Sequence, residues 1–208
     1  MSVGISGKDE KEKMKVIEFY GMPRAGKTTA VEIAESYFKK EKAKVRTVYE
    51  GARICPLDKS DRFNYNAWSF HNTVNRILEA RLDNYDFILV DRGVRDHMAF
   101  LNAIEPLCKG YDIKGTMNYY RQFLRLQDME IYLKLFPDDA IEREKKHKPF
   151  LGRVFDKEFL ERLYTSYLNV WDLEKVYEIN GKSDLDKNSQ RVLDLCQKLL
   201  KEEREKNA

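Results

Sequence analysis

In GMPRAGKTT, Gly21 to Thr29, a lysine and two threonines follow a glycine-bounded turn, and the apolar run VIEFY leads straight into it. Gly21, Met22, Pro23, Arg24, Ala25, Gly26, Lys27 and Thr28 fit the spacing G-x-x-x-x-G-K-[ST], with Thr29 next in line. The physical logic is that of an anion cradle. Glycines let the backbone bend round a phosphate with its N–H groups turned inward, and a helix starting at the lysine adds its positive end. The lysine can reach terminal phosphates, and the Thr28 hydroxyl can hold Mg²⁺. A second metal anchor is expected at the end of another strand. Asp91 closes the apolar run FILV and can hold the ion or its water shell; its plain alternative is to cap the helix that follows. Arg92, next to it, can set a fork of donors on a phosphate.

Other side chains belong to the partner of that phosphate. Glu50 closes the second predicted strand, where a carboxylate base would suit an acceptor hydroxyl. Arg53, Arg92 and Arg95 would instead suit an acceptor phosphate or another anion. Trp68 and Phe70 can stack on a base or belong to the core; neither choice is fixed by spacing. The basic segment REKKHKPFLGR carries Arg143, Lys146, Lys148 and Arg153. It follows the fourth strand and its helix, where a lid of cations over transferring phosphates would sit, although most charge runs are merely solvated. His71, His97 and His147 have no metal-ligand spacing.

The elements that must position these groups alternate along the chain. Strands are predicted at Lys15–Tyr20, Lys44–Glu50, Phe87–Val90, Met129–Phe136 and Val176–Ile179. Helices are predicted at Lys27–Lys40, Ala67–Leu82, Asp96–Leu107 and Met117–Leu126, then from Pro137, over Asp156–Leu173, and from Asp184 onward. That alternation predicts an α/β fold, a three-layer α/β/α sandwich around a five-stranded parallel sheet. Sites in such sheets lie beyond the carboxyl ends of the strands, which is where Gly21, Glu50 and Asp91 stand. Residues 1–14 read as a flexible polar tail and 15–208 as a single domain, with the lid at about 143–156.

Composition narrows the classes. The chain has 208 residues with 38 basic and 35 acidic side chains, a net charge of +3, so a globally basic nucleic-acid or membrane footprint is not expected. No apolar run has the length of a membrane span. Cys55, Cys108 and Cys196 are scattered without a CxxC, which suits reduced thiols in a cytoplasm. No NKxD-like base reader of a GTPase is present, and long motor ATPases would exceed this length.

Between Lys15 and Leu200 the chain resembles the P-loop nucleoside and nucleotide kinases, the thymidylate kinase and deoxynucleoside kinase group. DFILVDRGVRDHMAF resembles the strand and DR-x or ER-S motif of that group. MEIYLKLFPDDAIEREKK resembles the strand and helix before its lid, FLERLYTSYL the helix after it, and VYEINGKSDLDKNSQRVLDLCQKLL its closing strand and helix. The resemblance implies transfer of the γ-phosphoryl of ATP, with Mg²⁺, to a small nucleoside or nucleoside monophosphate. It implies ATP and Mg²⁺ at Lys27 and Thr28, metal at Asp91, and phosphate contacts from Arg92. Arg143 and Arg153 would be lid arginines and Arg24 a catalytic cation within the loop. Asn180, Gly181 and Lys182 would lie by the adenine. It also allows a homodimer. The chain departs from the pattern at Tyr20, where the group has glutamate, at YEGAR, where Arg53 is displaced, and at DRG in place of DRY or ERS. The choice between hydroxyl and phosphate acceptor stays open, as do a non-nucleoside metabolite kinase and a regulatory ATPase with a protein or RNA partner.

Overall fold

A computed structural model describes residues 14–147, 156–169 and 176–206. Five strands form one parallel sheet: β1 (Lys15–Gly21), β2 (Val45–Val48), β3 (Phe87–Asp91), β4 (Met129–Lys134) and β5 (Val176–Asn180), in the order β2-β3-β1-β4-β5. Helices connect them: α1 (Lys27–Lys40), α2 (Arg62–Ala80), α3 (Val94–Ile104), α4 (Ile113–Arg121), α5 (Pro137–His147), α6 (Lys157–Asn169) and α7 (Leu185–Lys206). The expected α/β sandwich around a five-stranded parallel sheet is what the chain forms.

The central strands are buried on both faces, so they need no polar alternation. Every residue of FILVD in β3 is buried, as is all of β1 after Lys15. α1 packs Ala30, Val31, Ala34 and Phe38 inward, and Phe38 stacks on Phe87 with ring centroids 4.0 Å apart. Burying a ring of that size contributes about 1.5–3 kcal/mol. On the other side Phe70 of α2 stacks on Tyr120 of α4 at 3.5 Å, with Phe123 and His97 at its edges.

Two helices begin a full turn or more earlier than their apolar periodicity suggests. α2 starts at Arg62 because Asp61 caps it, accepting from the Asn64 N–H. α4 starts at Ile113 because Asp112 accepts from the Gly115 N–H, and the chain then leaves the helix for a 3₁₀ turn at Leu124–Leu126. In both cases a short polar cap, not the apolar stripe, sets the boundary. Among the described residues no helix is long and apolar enough to cross a membrane. Residues 1–13 of the expected tail at 1–14, and Lys148 and Arg153 of the expected lid, lie outside the described residues.

Candidate active site

β1 ends at Gly21 with φ +137°, and a Cβ there would lie 2.3 Å from the Leu133 carbonyl oxygen of β4. Only glycine permits the turn so close to the neighbouring strand. The loop closes at Gly26, φ +95°, which starts α1 with no side-chain cap and no acidic residue in the first turn. The free N–H groups at that end therefore keep their capacity and their positive potential for an anion.

Lys27 is buried and donates to the carbonyls of Gly21 and Met22 at 2.7 and 2.8 Å, so its ammonium lies across the mouth of the loop. Burial, helped by Arg92, lowers that ammonium to about 8. The Thr28 hydroxyl donates to Asp91 Oδ2 at 2.9 Å, which joins the start of α1 to the end of β3. Hydroxyl and carboxylate together form a hard, all-oxygen donor pair, and that chemistry fits Mg²⁺. Thr29 is half-buried one residue on, and Pro23 and Ala25 are buried in the loop.

Glu50 stands beyond β2, on a turn fixed by α2. The Gly51 backbone lies so close to α2 that a Cβ would meet the Ser69 carbonyl oxygen at 2.8 Å. Tyr65 donates to the Ala52 carbonyl at 2.5 Å and Arg76 to the Tyr49 carbonyl at 2.9 Å. From this turn the Glu50 carboxylate lies 3.2 Å from Arg92 Nε, while Arg92 Nη1 donates to Asp96 Oδ2 at 2.8 Å. Burial works against the charge on Arg92, but Glu50 and Asp96 hold it firmly protonated. Arg24 and Arg92 are two of the three described non-glycine residues in the left-handed region, at φ 64° and 66°. Such backbone costs energy and collects at functional sites.

Several expected roles are corrected by packing. Arg95 does not reach the cleft: it is buried and pairs with Glu130 through Nε at 2.8 Å and Nη2 at 2.7 Å. As the second residue of α3 it starts from a turn anchored on Glu18 of β1, whose neighbour across the sheet is Glu130. Phe70 is wholly buried in the α2–α4 aromatic core and is not a stacking surface; Trp68 is half-buried on the same helix. Arg53 turns to Thr28 and Asp91 instead of an acceptor, with Nη2 3.2 Å from Thr28 Oγ1 and 3.5 Å from Asp91 Oδ2. Arg24 pairs with the buried Glu144 of α5. Arg143 clasps backbone, donating to the Arg24 carbonyl at 3.0 Å and the Gly181 carbonyl at 2.6 Å. It thus ties the phosphate loop to the turn after β5. There Asn180 Oδ1 accepts from the Lys182 N–H at 2.9 Å, and Lys182 pairs with Asp139 at 3.1 Å. Lys146 pairs with Glu142 on the exposed face of α5.

Sequence reasoning passed over four groups. Asp96 is buried beside the loop, accepting from Arg92, from the Gly21 N–H at 3.3 Å and from the Tyr167 hydroxyl at 2.7 Å. Burial opposes its ionisation, and Arg92 and Lys27 outweigh that and hold its carboxyl below the ordinary range. Tyr167 itself brings α6 within 3.0 Å of the Gly21 carbonyl. Glu18 gathers the N–H groups of Gly93, Arg95 and Asp96 at 2.9, 3.1 and 3.0 Å, an anchor for the start of α3. Burial and nearby Glu130 push its carboxyl up to about 8, against the pull of those amides. The missed signal for Glu18 and Glu130 was an acid in the middle of a strand that a parallel sheet must bury.

No family model matches the chain, and no curated protein matches it in sequence. Solved structures do. Deoxyadenosine kinase from M. mycoides with bound dATP aligns with a TM-score of 0.66 at 18% identity, over 88% of this chain and 99% of that one. The same kinase with products dCMP and a flexible dCDP aligns with a TM-score of 0.62 at 20% identity, over the same 88% and 99%. The chain has the fold of a P-loop deoxynucleoside kinase. At this identity the likeness speaks for the architecture, and the chemistry has to be argued from the residues.

Proposed function

We propose that this protein transfers the γ-phosphoryl group of ATP to a hydroxyl of a nucleoside. One observation carries the choice of a hydroxyl over a phosphate: Glu50 is held at the cleft by Arg92, while Arg95 is spent on Glu130 and Arg53 turns to Asp91. Arg92 is itself balanced by Glu50 and Asp96. An acceptor phosphate would meet two carboxylates there, whereas an acceptor hydroxyl meets a base. Glu50 and Asp91 both act electrostatically on Lys27, which supports their sharing one cleft with the phosphate loop.

The residues divide the work as follows. The N–H groups at the start of α1 and the Lys27 ammonium hold the phosphates of ATP. Thr28 and Asp91 would hold Mg²⁺, which would neutralise charge on the phosphates. Arg92 orients Glu50. Glu50 takes the proton of the hydroxyl as its oxygen bonds to the γ-phosphorus, and the bridging oxygen leaves with ADP. Because the transition state is loose, positioning and charge neutralisation account for most of the acceleration. The two structural neighbours, a deoxyadenosine kinase with dATP or with dCMP and dCDP, support a nucleoside as acceptor. The unpaired Cys55, Cys108 and Cys196 support a cytoplasmic setting.

Glu50→Gln keeps the shape and removes the base. With ATP and a panel of nucleosides, read as ADP release, it is expected to lower kcat by roughly a hundredfold to ten-thousandfold. ATP binding is expected to persist. If the wild-type protein prefers monophosphates and the variant keeps full turnover with them, the acceptor is a phosphate and the assignment of Glu50 is wrong.

A further inference from the structure

The short turn that carries Glu50 also carries Arg53, and Arg53 stands where no acceptor ligand would need it. Its Nη2 lies 3.2 Å from Thr28 Oγ1 and 3.5 Å from Asp91 Oδ2. The Thr28 hydrogen is already given to Asp91 at 2.9 Å, so Thr28 meets Arg53 with a lone pair. Those same oxygens are the hard donors of the metal pair. An Mg²⁺ ion bonds oxygen at about 2.0–2.1 Å. Placed on these oxygens, the ion and the guanidinium would stand within a few ångströms of one another, two cations in one small space. Only one of them can neutralise Asp91 at a time.

The geometry points to Arg53 as an internal competitor of the divalent cation. In the same conformation the guanidinium carbon lies 5.5 Å from the centroid of the Tyr49 ring, a contact that does not depend on Asp91. The Arg53 side chain is half exposed, at 51%, so leaving Asp91 costs little desolvation. Asp91, at 2% exposure, is the fixed partner. Arg53 thereby sets how much free metal is needed to load the site, and it keeps the buried carboxylate paired until metal arrives. This inference rests on the reading that Thr28 and Asp91 are the metal pair.

Mn²⁺ serves as the probe, followed through loss of the free-ion electron paramagnetic resonance signal on titration with protein. Arg53→Gln removes the charge from an exposed turn, and circular dichroism checks that the fold persists. With Arg53 half in solvent, a pair of this kind contributes about 0.2–1 kcal/mol, so Mn²⁺ is expected to bind roughly 1.4- to fivefold tighter to the variant. The Mg²⁺ concentration for half-maximal turnover is expected to fall in step. Asp91→Asn is the control and is expected to lose most Mn²⁺ binding. If Asp91→Asn loses it while Arg53→Gln binds no tighter than wild type, the competition is refuted and the metal pair stands. If Asp91→Asn binds Mn²⁺ like wild type, the metal pair itself is misassigned and the competition falls with it.

Discussion

Replacing Arg95 by methionine separates a structural cation from a substrate-binding one. Arg95 and Glu130 have side chains only 5% and 6% exposed and meet through two nitrogen–oxygen contacts, at 2.8 and 2.7 Å. Water does not screen such a pair. Removing one partner leaves the other as an uncompensated buried charge, a loss of about 3–5 kcal/mol. Here the orphan would be Glu130, close enough to Glu18 to raise its carboxyl, so the remaining acids would repel one another. For a chain of this length each kcal/mol shifts Tm by about 2–4 °C, which puts the expected drop at roughly 6–20 °C. Thermal unfolding followed by circular dichroism measures it. The double variant Arg95→Met, Glu130→Leu removes the orphan and is expected to regain most of the stability, since apolar replacements of buried pairs are often neutral. Well below the transition, the single variant is expected to keep the acceptor KM of the wild type. An unchanged Tm combined with a tenfold or larger rise in acceptor KM would refute the reasoning and return Arg95 to the substrate.

Gly93 stands where the Glu18 carboxylate needs the room: a Cβ there would meet Glu18 Oε2 and Gln127 Nε2, each at 2.7 Å. Gly93→Ser is expected to cost about 1–3 kcal/mol in thermal unfolding, and Glu18→Gln alone is not expected to relieve it; an undiminished Tm for Gly93→Ser would show that the space is not filled. Lys27, lowered to about 8, must be charged to hold phosphate. A group with a depressed pKa is charged below that value, so nucleotide affinity is expected to hold from pH 6.5 to 7.5 and to weaken as pH rises through about 8. Phosphate then pulls the proton back on. Calorimetry at pH 8 in two buffers of different ionisation heat should therefore report proton uptake that Lys27→Arg abolishes, and proton-neutral binding there would count against Lys27.

Much of this was written in local sequence, and the reason is that local chemistry decides it. The apolar runs and their alternation with helical periods specify a parallel sheet. The spacing of Gly21, Gly26, Lys27 and Thr28 needs only its own backbone to make a cradle. The positions of Glu50 and Asp91 at strand ends follow once the strands are read. What the sequence could not reveal is where long side chains end. Four arginines offered the same charge, and tertiary packing sorted them. Arg92 went to Glu50 and Asp96, Arg95 to Glu130, Arg53 to Asp91, and Arg24 to Glu144, each according to which carboxylate lay within reach. Phe70 was equally undecided until α4 supplied Tyr120 to stack on it. Charge and aromaticity are properties of a residue, whereas reach and burial depend on elements distant in the chain: Glu18 and the amides it anchors are at least 75 residues apart. The sequence determined that an α/β sandwich with a glycine-bounded loop after its first strand would form, and only the tertiary structure decided which of its charges face the cleft and which hold the scaffold together.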